Sequence, residues 1–543
     1  MHSLSSWYEQ SEEPPLALHC WEAVPRVRSD SLSSTGSTGR FQLRQRVAEL
    51  MACVEDISSD EEIQEEVSRT LDEALLILEK KLPPKIKEFR LHLVTWNVGT
   101  ASPPDDVSSL LEIDNDTAVD MFIIGLQEVN SKIIRFLSDL AFDDPWSLFI
   151  MDTLAPLGYV KIACLRLQGL LLLIFVKHQH IPFIQDIYTN YTRTGIYGYW
   201  GNKGGVTIRM CLYGHMVCFM NCHLPAHMEN SNQRLDDFER ILEEQQFDDS
   251  VPTILDHDLV FWFGDLNFRI ADFGMHFVRE AITSDRYSLL WDKDQLNVAK
   301  KNEGLLRDFK EGPLQFKPTY KFDRNSDVYD TRGKKALFVF NGKKRKPAWT
   351  DRILWRLKSP TQTTPEEEDA EQMLTVTLDN YRSHMSYGIS DHKPVTGTFT
   401  VQLKPLVSTP LVTLRPEGEW NADSDGLISY SLTPEFPSST WDWIGLYKVD
   451  FRHTNDYVTY AWVKDDEISF SEEATQVYIG ADEIPLEGGE FLLCYFCHNM
   501  QSLTGISEPF QIQPGHSLLV KESKSENVAE TDWPQSSESH EEL

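Results

Sequence analysis

Residues 261–269 read Phe-Trp-Phe-Gly-Asp-Leu-Asn-Phe-Arg, and they follow Leu259-Val260 without a polar interruption. A short run this apolar predicts a strand buried on both faces rather than one with a wet side. At its exit, Asp265 and Asn267 stand two residues apart, so an extended chain turns both side chains to the same side. A carboxylate there can hold a water in line or take its proton, and an amide can donate to a phosphate oxygen. The same texture recurs in LHLVTWNV (91–98), MFIIGLQEV (121–129), LLLLIFV (170–176), VTIRMCLY (206–213) and MVCFMNCHL (216–224). Polar residues again gather at the exits, as Asn97, Glu128 and His223, and Asp391-His392 precedes a further apolar run. One Asp after a strand is ordinarily a turn or cap residue. Five polar strand ends in one region predict a shared site. Its oxygen donors suit Mg²⁺, which takes one or two carboxylates and keeps water for a substrate phosphate. His223 and His227 lie four apart, but Leu224-Pro225-Ala226 between them lacks the Glu and the helix of a zinc protease motif.

Outward from this core the chain has 543 residues, with 51 Lys+Arg against 84 Asp+Glu and a formal net charge of −33. That length carries two or three domains. The acidic excess argues against a protein that grips nucleic-acid backbones, which needs clustered Lys and Arg. Eight Cys show no disulfide framework, and Cys494-x-x-Cys497 sits in the apolar run FLLCYFC, as small buried hydrophobes in a strand do. No basic-then-apolar leader opens the sequence, and no apolar run approaches the roughly 20 residues of a spanning helix. Cytoplasmic residence with peripheral membrane contact is the expectation.

Residues 1–40, rich in Ser, Pro and acids, are expected to be disordered, and 41–86 carries an acidic amphipathic helical pattern closed by Pro83-Pro84. Helices are predicted at 231–245 and 299–311. From 404 to 513, Pro-punctuated strands at short intervals predict a small β-sandwich, with Trp441 and Trp443 placed in its core. An acidic tail, also expected to be disordered, fills 514–543. The local exception to the acidic total is 332–352, with eight Lys/Arg and one Asp.

FWFGDLNFR (261–269) and PAWTDRILW (347–355) resemble the two signature motifs of the inositol polyphosphate 5-phosphatases, and TWN, LQE, GNKGGV, CHLPAH, FKPTYKFD and SDHKPV follow the same family in order. The resemblance covers 89–403, while WDWIGLYKV and YVTYAWV within 404–513 resemble the SKICH domain that some of these enzymes carry. It implies an α/β catalytic domain of DNase I-like fold, a four-layer sandwich of two stacked mixed β-sheets flanked by helices, followed by an Ig-like β-sandwich. By motif match Glu128 would hold Mg²⁺ with Asn97 nearby, Asp265 would orient and deprotonate the attacking water, and Asn267 would bind the phosphate. His392, oriented by Asp391, would donate to the scissile phosphate, and His223, supported by Asp351, would complete the cradle. Arg352 would steady the site or form a structural salt bridge.

Substrate choice follows from the same resemblance. Tyr320, Lys321, Lys343 and Arg345 match the group that reads the 4-phosphate, and Asn202 and Lys203 match residues that approach the 1-phosphate. The implied activity is Mg²⁺-dependent removal of the 5-phosphate from phosphatidylinositol 4,5-bisphosphate and 3,4,5-trisphosphate, and from soluble inositol polyphosphates. It would act at anionic endoplasmic-reticulum or plasma-membrane surfaces, with the β-sandwich serving localisation, an unnamed protein partner or mere packing. A nuclease or sphingomyelinase-like phosphodiesterase fits the acidic total and K-x-R-x-P-A-W less well, and a silent adaptor would not need the full polar set. The apolar pentapeptide Ala336–Phe340 between lysines is expected as a hairpin or a wedge for the lipid interface.

Overall fold

The computed structural model describes residues 86–113, 118–129, 144–195, 200–247, 251–331, 345–358, 374–434, 436–464, 467–469 and 475–515. The expectations for 1–40, for 41–85, for the 336–342 loop with Lys343, for the acidic run 365–371 and for the tail from 516 lie outside the described residues.

Among the described residues, twelve strands build the first part of the chain. They are β1 (Lys87–Asn97), β2 (Met121–Gln127), β3 (Tyr159–Leu167), β4 (Leu170–Lys177), β5 (Ile184–Gly195) and β6 (Trp200–Leu212). The series continues with β7 (His215–His223), β8 (Leu259–Asp265), β9 (Lys310–Glu311), β10 (Asp351–Leu357), β11 (Leu374–Ser383) and β12 (Val395–Leu403). Two six-stranded mixed sheets result, ordered β11-β12-β1-β2-β4-β3 and β5-β6-β7-β8-β10-β9.

The four layers explain the apolar texture. On β8, Leu259, Phe261 and Phe263 enter the core between the sheets. Val260 and Trp262 turn outward and are covered by Phe238 and Ile241 of the helix Ser231–Glu244. On β1, Leu91 and Leu93 point between the sheets, whereas Val94 and Trp96 meet Trp146 and Ile150 of the helix Pro145–Leu154. Each strand is sealed on both faces, so neither alternates polar with apolar. The expected helix at 231–245 is present, but the one at 299–311 is not a single element. A helix spans Gln295–Asn302, capped by Asp294, whose carboxylate accepts from Asn297 N, and a second short one spans Gly304–Arg307. Periodicity carried the expectation past the break at Glu303, where the backbone is extended.

Register, more than sequence proximity, assembles the site. β7 and β8 run parallel with His223 beside Asp265, and β10 runs antiparallel to β8 with Asp351 beside Asp265. In the other sheet β1 and β2 run parallel and bring Asn97 beside Gln127.

The C-terminal strands are β13 (Val412–Glu417), β14 (Trp420–Asn421), β15 (Gly426–Leu432), β16 (Trp443–Lys448) and β17 (Tyr457–Trp462), then β18 (Glu467–Ser469), β19 (Thr475–Ile479), β20 (Gly489–Cys497), β21 (Ser502–Ile506) and β22 (Phe510–Gln513). They form two facing sheets, β13-β15-β19-β18 and β14-β22-β20-β16-β17, with β21 paired to β20. β20 contains FLLCYFC and is apolar for a specific reason. Phe491, Leu493, Tyr495 and Cys497 fill the sandwich's own core, while Leu492, Cys494 and Phe496 join the core of the catalytic part. Lys161 N donates to Arg452 O at 2.9 Å, and Leu406 N to Tyr213 O at 3.1 Å, across the same junction. The packing role considered for the sandwich is therefore physically present. Trp441 departs from expectation: it precedes β16 in a turn and is 60% exposed.

Candidate active site

Asp265 is the buried centre of the polar end. Its Oδ2 accepts from Asn97 Nδ2 at 3.0 Å and lies 3.2 Å from His223 Nε2 and 3.9 Å from His392 Nε2. Its Oδ1 has no hydrogen-bond partner among the described residues. Burial alone would raise its proton affinity, but the His392, His223 and Lys203 charges hold the carboxyl well below the usual carboxylate range. Asp265 is therefore held toward the carboxylate form, with one buried oxygen left unpaired among the described residues.

The two imidazoles are pushed in opposite directions. His392 Nδ1 lies 3.0 Å from Asp351 Oδ2, which also accepts from Thr319 Oγ1 at 2.5 Å and Thr350 Oγ1 at 2.9 Å. Burial disfavours the His392 cation, yet Asp351 and then Asp265 outweigh it and raise its proton affinity. His223 is held below its ordinary value by burial, then by the Lys203 ammonium that abuts its Nε2. The site thus holds one imidazole biased toward the cation and one biased toward the neutral ring.

The partners of the acids correct two expectations. Asp351, not Asp391, orients His392, and Asp351 does not support His223, which faces Asp265 and Lys203. The Asp391 carboxylate is paired with Lys321 Nζ. Neighbours on an extended backbone point to opposite sides, so Asp391 is turned away from the ring beside it. Arg352 is structural: its buried guanidinium meets Asp294 at 3.0 Å and Glu311 at 2.6 Å.

Asn267 adopts φ 58° just past β8, its Nδ2 donates to Leu224 O at 3.0 Å, and its Oδ1 accepts from Arg269. Both ends of that amide are engaged within the protein. Glu128, also at positive φ, sits at the mouth, 3.9 Å from His223 Nε2. Burial opposes its ionisation, but the charges of His223 and His392 and a hydrogen bond from Asn97 lower its pKa. Lys203 points into this centre, and burial takes its ammonium down to about 8 against the pull of Asp265 and Glu128. Asn202 next to it is exposed. Tyr320 places its ring 4.5 Å from that of His392, with the Arg269 guanidinium 4.4 Å from the same ring. Arg345 lies further out, its Nη1 3.1 Å from His227 Nδ1 and its backbone N on Asp330.

Thr319, Thr350, Ser390 and Arg269 were not singled out from the sequence. Ser390 Oγ donates to Asn97 O at 2.6 Å and Trp96 Nε1 to His392 O at 3.2 Å, fastening the strand exits to one another. Each lies within or beside a polar exit motif, but a hydroxyl reveals its acceptor only once the strands are in register.

One atom each of Asp265, Asp351 and His392 lies within 4.8 Å of the others. Asp351 and His392 already satisfy one another there, so the oxygens of Glu128, Asn97 and the unpartnered Asp265 Oδ1 fit a hard divalent cation better.

The chain resembles known proteins over most of its length. Residues 94–398 match the endonuclease/exonuclease/phosphatase family 2, and residues 412–512 match the SKICH domain. Inositol polyphosphate 5-phosphatase K of Mus musculus is 56% identical over 450 residues, 82% of this chain and 94% of that protein. Phosphatidylinositol 4,5-bisphosphate 5-phosphatase A of Homo sapiens is 49% identical over 439 residues, 80% of this chain but 42% of the longer relative. Among solved structures, the 5-phosphatase domain of spsynaptojanin in complex with inositol (1,4)-bisphosphate and calcium ion is 27% identical, with a TM-score of 0.49 over 62% of this chain and 91% of that one. With its catalytic sandwich and its SKICH sandwich both matched, the chain belongs to the inositol polyphosphate 5-phosphatases of the SKICH-containing type.

Proposed function

We propose that this chain removes the 5-phosphate from phosphatidylinositol 4,5-bisphosphate and 3,4,5-trisphosphate, and from soluble inositol polyphosphates, with Mg²⁺ as cofactor. The observation that carries this is the buried Asp265 carboxylate, its Oδ1 unpartnered among the described residues and its Oδ2 3.2 Å from His223 Nε2 and 3.9 Å from His392 Nε2. Mg²⁺ held by Glu128 and Asn97 would offset charge on the scissile phosphate. Asp265 accepts a hydrogen bond from the attacking water and sets its line of approach. Its depressed pKa makes it a weak base, which suits a loose phosphoryl transition state that asks little deprotonation of the nucleophile. His392, fixed at Nδ1 by Asp351, presents Nε2–H to a phosphate oxygen, and Lys203, set against His223, adds a cation to the same centre. The remaining Nδ2 hydrogen of Asn267 reaches the same group. Tyr320, Lys321, Lys343 and Arg345 read the neighbouring 4-phosphate, and Asn202 lies toward the 1-phosphate.

The reaction takes place at the cytoplasmic surface of the endoplasmic reticulum or plasma membrane, with protein partners met through the SKICH sandwich. Phosphate release from vesicles containing each lipid, with and without Mg²⁺, tests the chemistry. Wild type should release phosphate only with Mg²⁺, and Asp265→Ala should reduce it at least about 10³-fold. Mg²⁺-independent release, or none from any 5-phosphorylated inositide, would overturn the proposal.

A further inference from the structure

The outer face of the sheet β14-β22-β20-β16-β17 is only partly covered by the catalytic domain. Phe496 and Tyr447 lie in the shared core, and Trp443 packs at its margin. From Trp443 the aromatic surface continues outward into solvent. Its ring lies 4.9 Å from Phe496, 5.1 Å from Tyr457 and 5.7 Å from Tyr460, and Tyr460 lies 5.4 Å from Trp462. Tyr457 is 38% and Tyr460 36% exposed, although both belong to a strand.

β17 ends this sheet and, among the described residues, pairs only with β16. Alongside it runs a groove of about 440 Å³, lined by β17 on one side and by Tyr478, Gly480 and Glu483 on the other. Exposed aromatic rings beside an unpaired strand edge form a surface that soluble proteins ordinarily keep covered. Charge indicates what would cover it. Glu483 lines the groove and Asp482 adjoins it in the chain, while segments 457–464 and 475–483 hold the single base Lys464.

We propose that the β17 edge is a docking site for an extended, basic protein segment with Arg or Lys at alternate positions. Added as a strand, such a segment hydrogen-bonds through its backbone, and its period of two brings every second side chain to the aromatic face. Guanidinium or ammonium groups then lie over Tyr457 and Tyr460 while Glu483 and its neighbour Asp482 complement their charge. A second copy of this chain would bring the same acids against themselves, and an anionic bilayer would meet them with like charge.

The test is fluorescence anisotropy of the full chain with a labelled ten-residue peptide alternating Arg and Val, beside its counterpart with Glu for Arg. The Arg peptide should bind saturably and the Glu peptide should not. Tyr460→Ala, Tyr478→Ala and Glu483→Lys should each weaken binding at least tenfold, while release of phosphate from soluble inositol trisphosphate stays at the wild-type rate. Glu239→Lys, an exposed charge change on a distant helix, separates specific docking from attraction to a chain of net charge −33. Peptide binding that ignores the aromatic substitutions, or falls equally with Glu239→Lys, would overturn the proposal. So would variants that instead abolish dimerisation in sedimentation or binding to phosphatidylserine vesicles.

Discussion

β8 and β20 are both unbroken apolar strands in the centre of a sandwich, yet they differ in what they serve. β8 spends its two faces inside one domain and delivers Asp265 at its end. β20 spends one face on its own domain and the other on its neighbour. A two-faced apolar strand is expected where helices cover a sheet, as they cover β8. In an antiparallel sandwich, where one face is normally wet, it signals a docked partner. Substitutions at the β8 exit should therefore alter rate with little loss of stability, and those on β20 should do the reverse.

The largest effect expected is on the chemistry. Asp351→Asn removes the charge that fixes and raises His392, so kcat should fall about 10³-fold with an unchanged melting temperature. A fall in melting temperature that accounts for the lost activity would erase the contrast between the regions. Next, Lys203→Met should lower kcat about 10²-fold, because the ammonium lies against His223 and near Asp265. If KM rises while kcat holds, Lys203 reads a remote phosphate and the catalytic centre is smaller than drawn.

On β20, Leu492→Ala and Leu493→Ala face different domains and should each cost about 2–3 kcal/mol in one shared unfolding transition. Two separated transitions in calorimetry, with only the sandwich affected by Leu493→Ala, would show that the shared core does not couple the domains. Smallest of all, Arg452→Ala breaks an exposed pair with Asp152 across the junction and should cost under about 0.5 kcal/mol by denaturant titration. A larger loss would mean that the junction depends on charge rather than on apolar contact.

The legible features were those that act along the chain. Strands sealed on both faces, the polar exits and the sandwich all leave a local pattern, and Asp265, His223 and His392 could be named from it. What acts between strands was harder to see. Asp391 adjoins His392 in sequence, while Asp351 reaches it only because β10 lies antiparallel to β8. Hydroxyls such as Thr319 and Thr350 carry no signal until that register exists. Trp441 stands two residues before Trp443, yet alternation holds only inside a strand, and β16 starts at Trp443, which leaves Trp441 outside the core. Its exposed ring lies 6.0 Å from that of Trp462, beside the β17 edge.

The division of β20 between two cores also bears on inheritance. A SKICH sandwich brought in from elsewhere would have to carry a face fitted to Ile162, Ile181 and Ile184 of the host. Truncation after β12 would strand those side chains in water. A chimera exchanging one of the two domains should therefore be judged first by whether its new seam can stay dry.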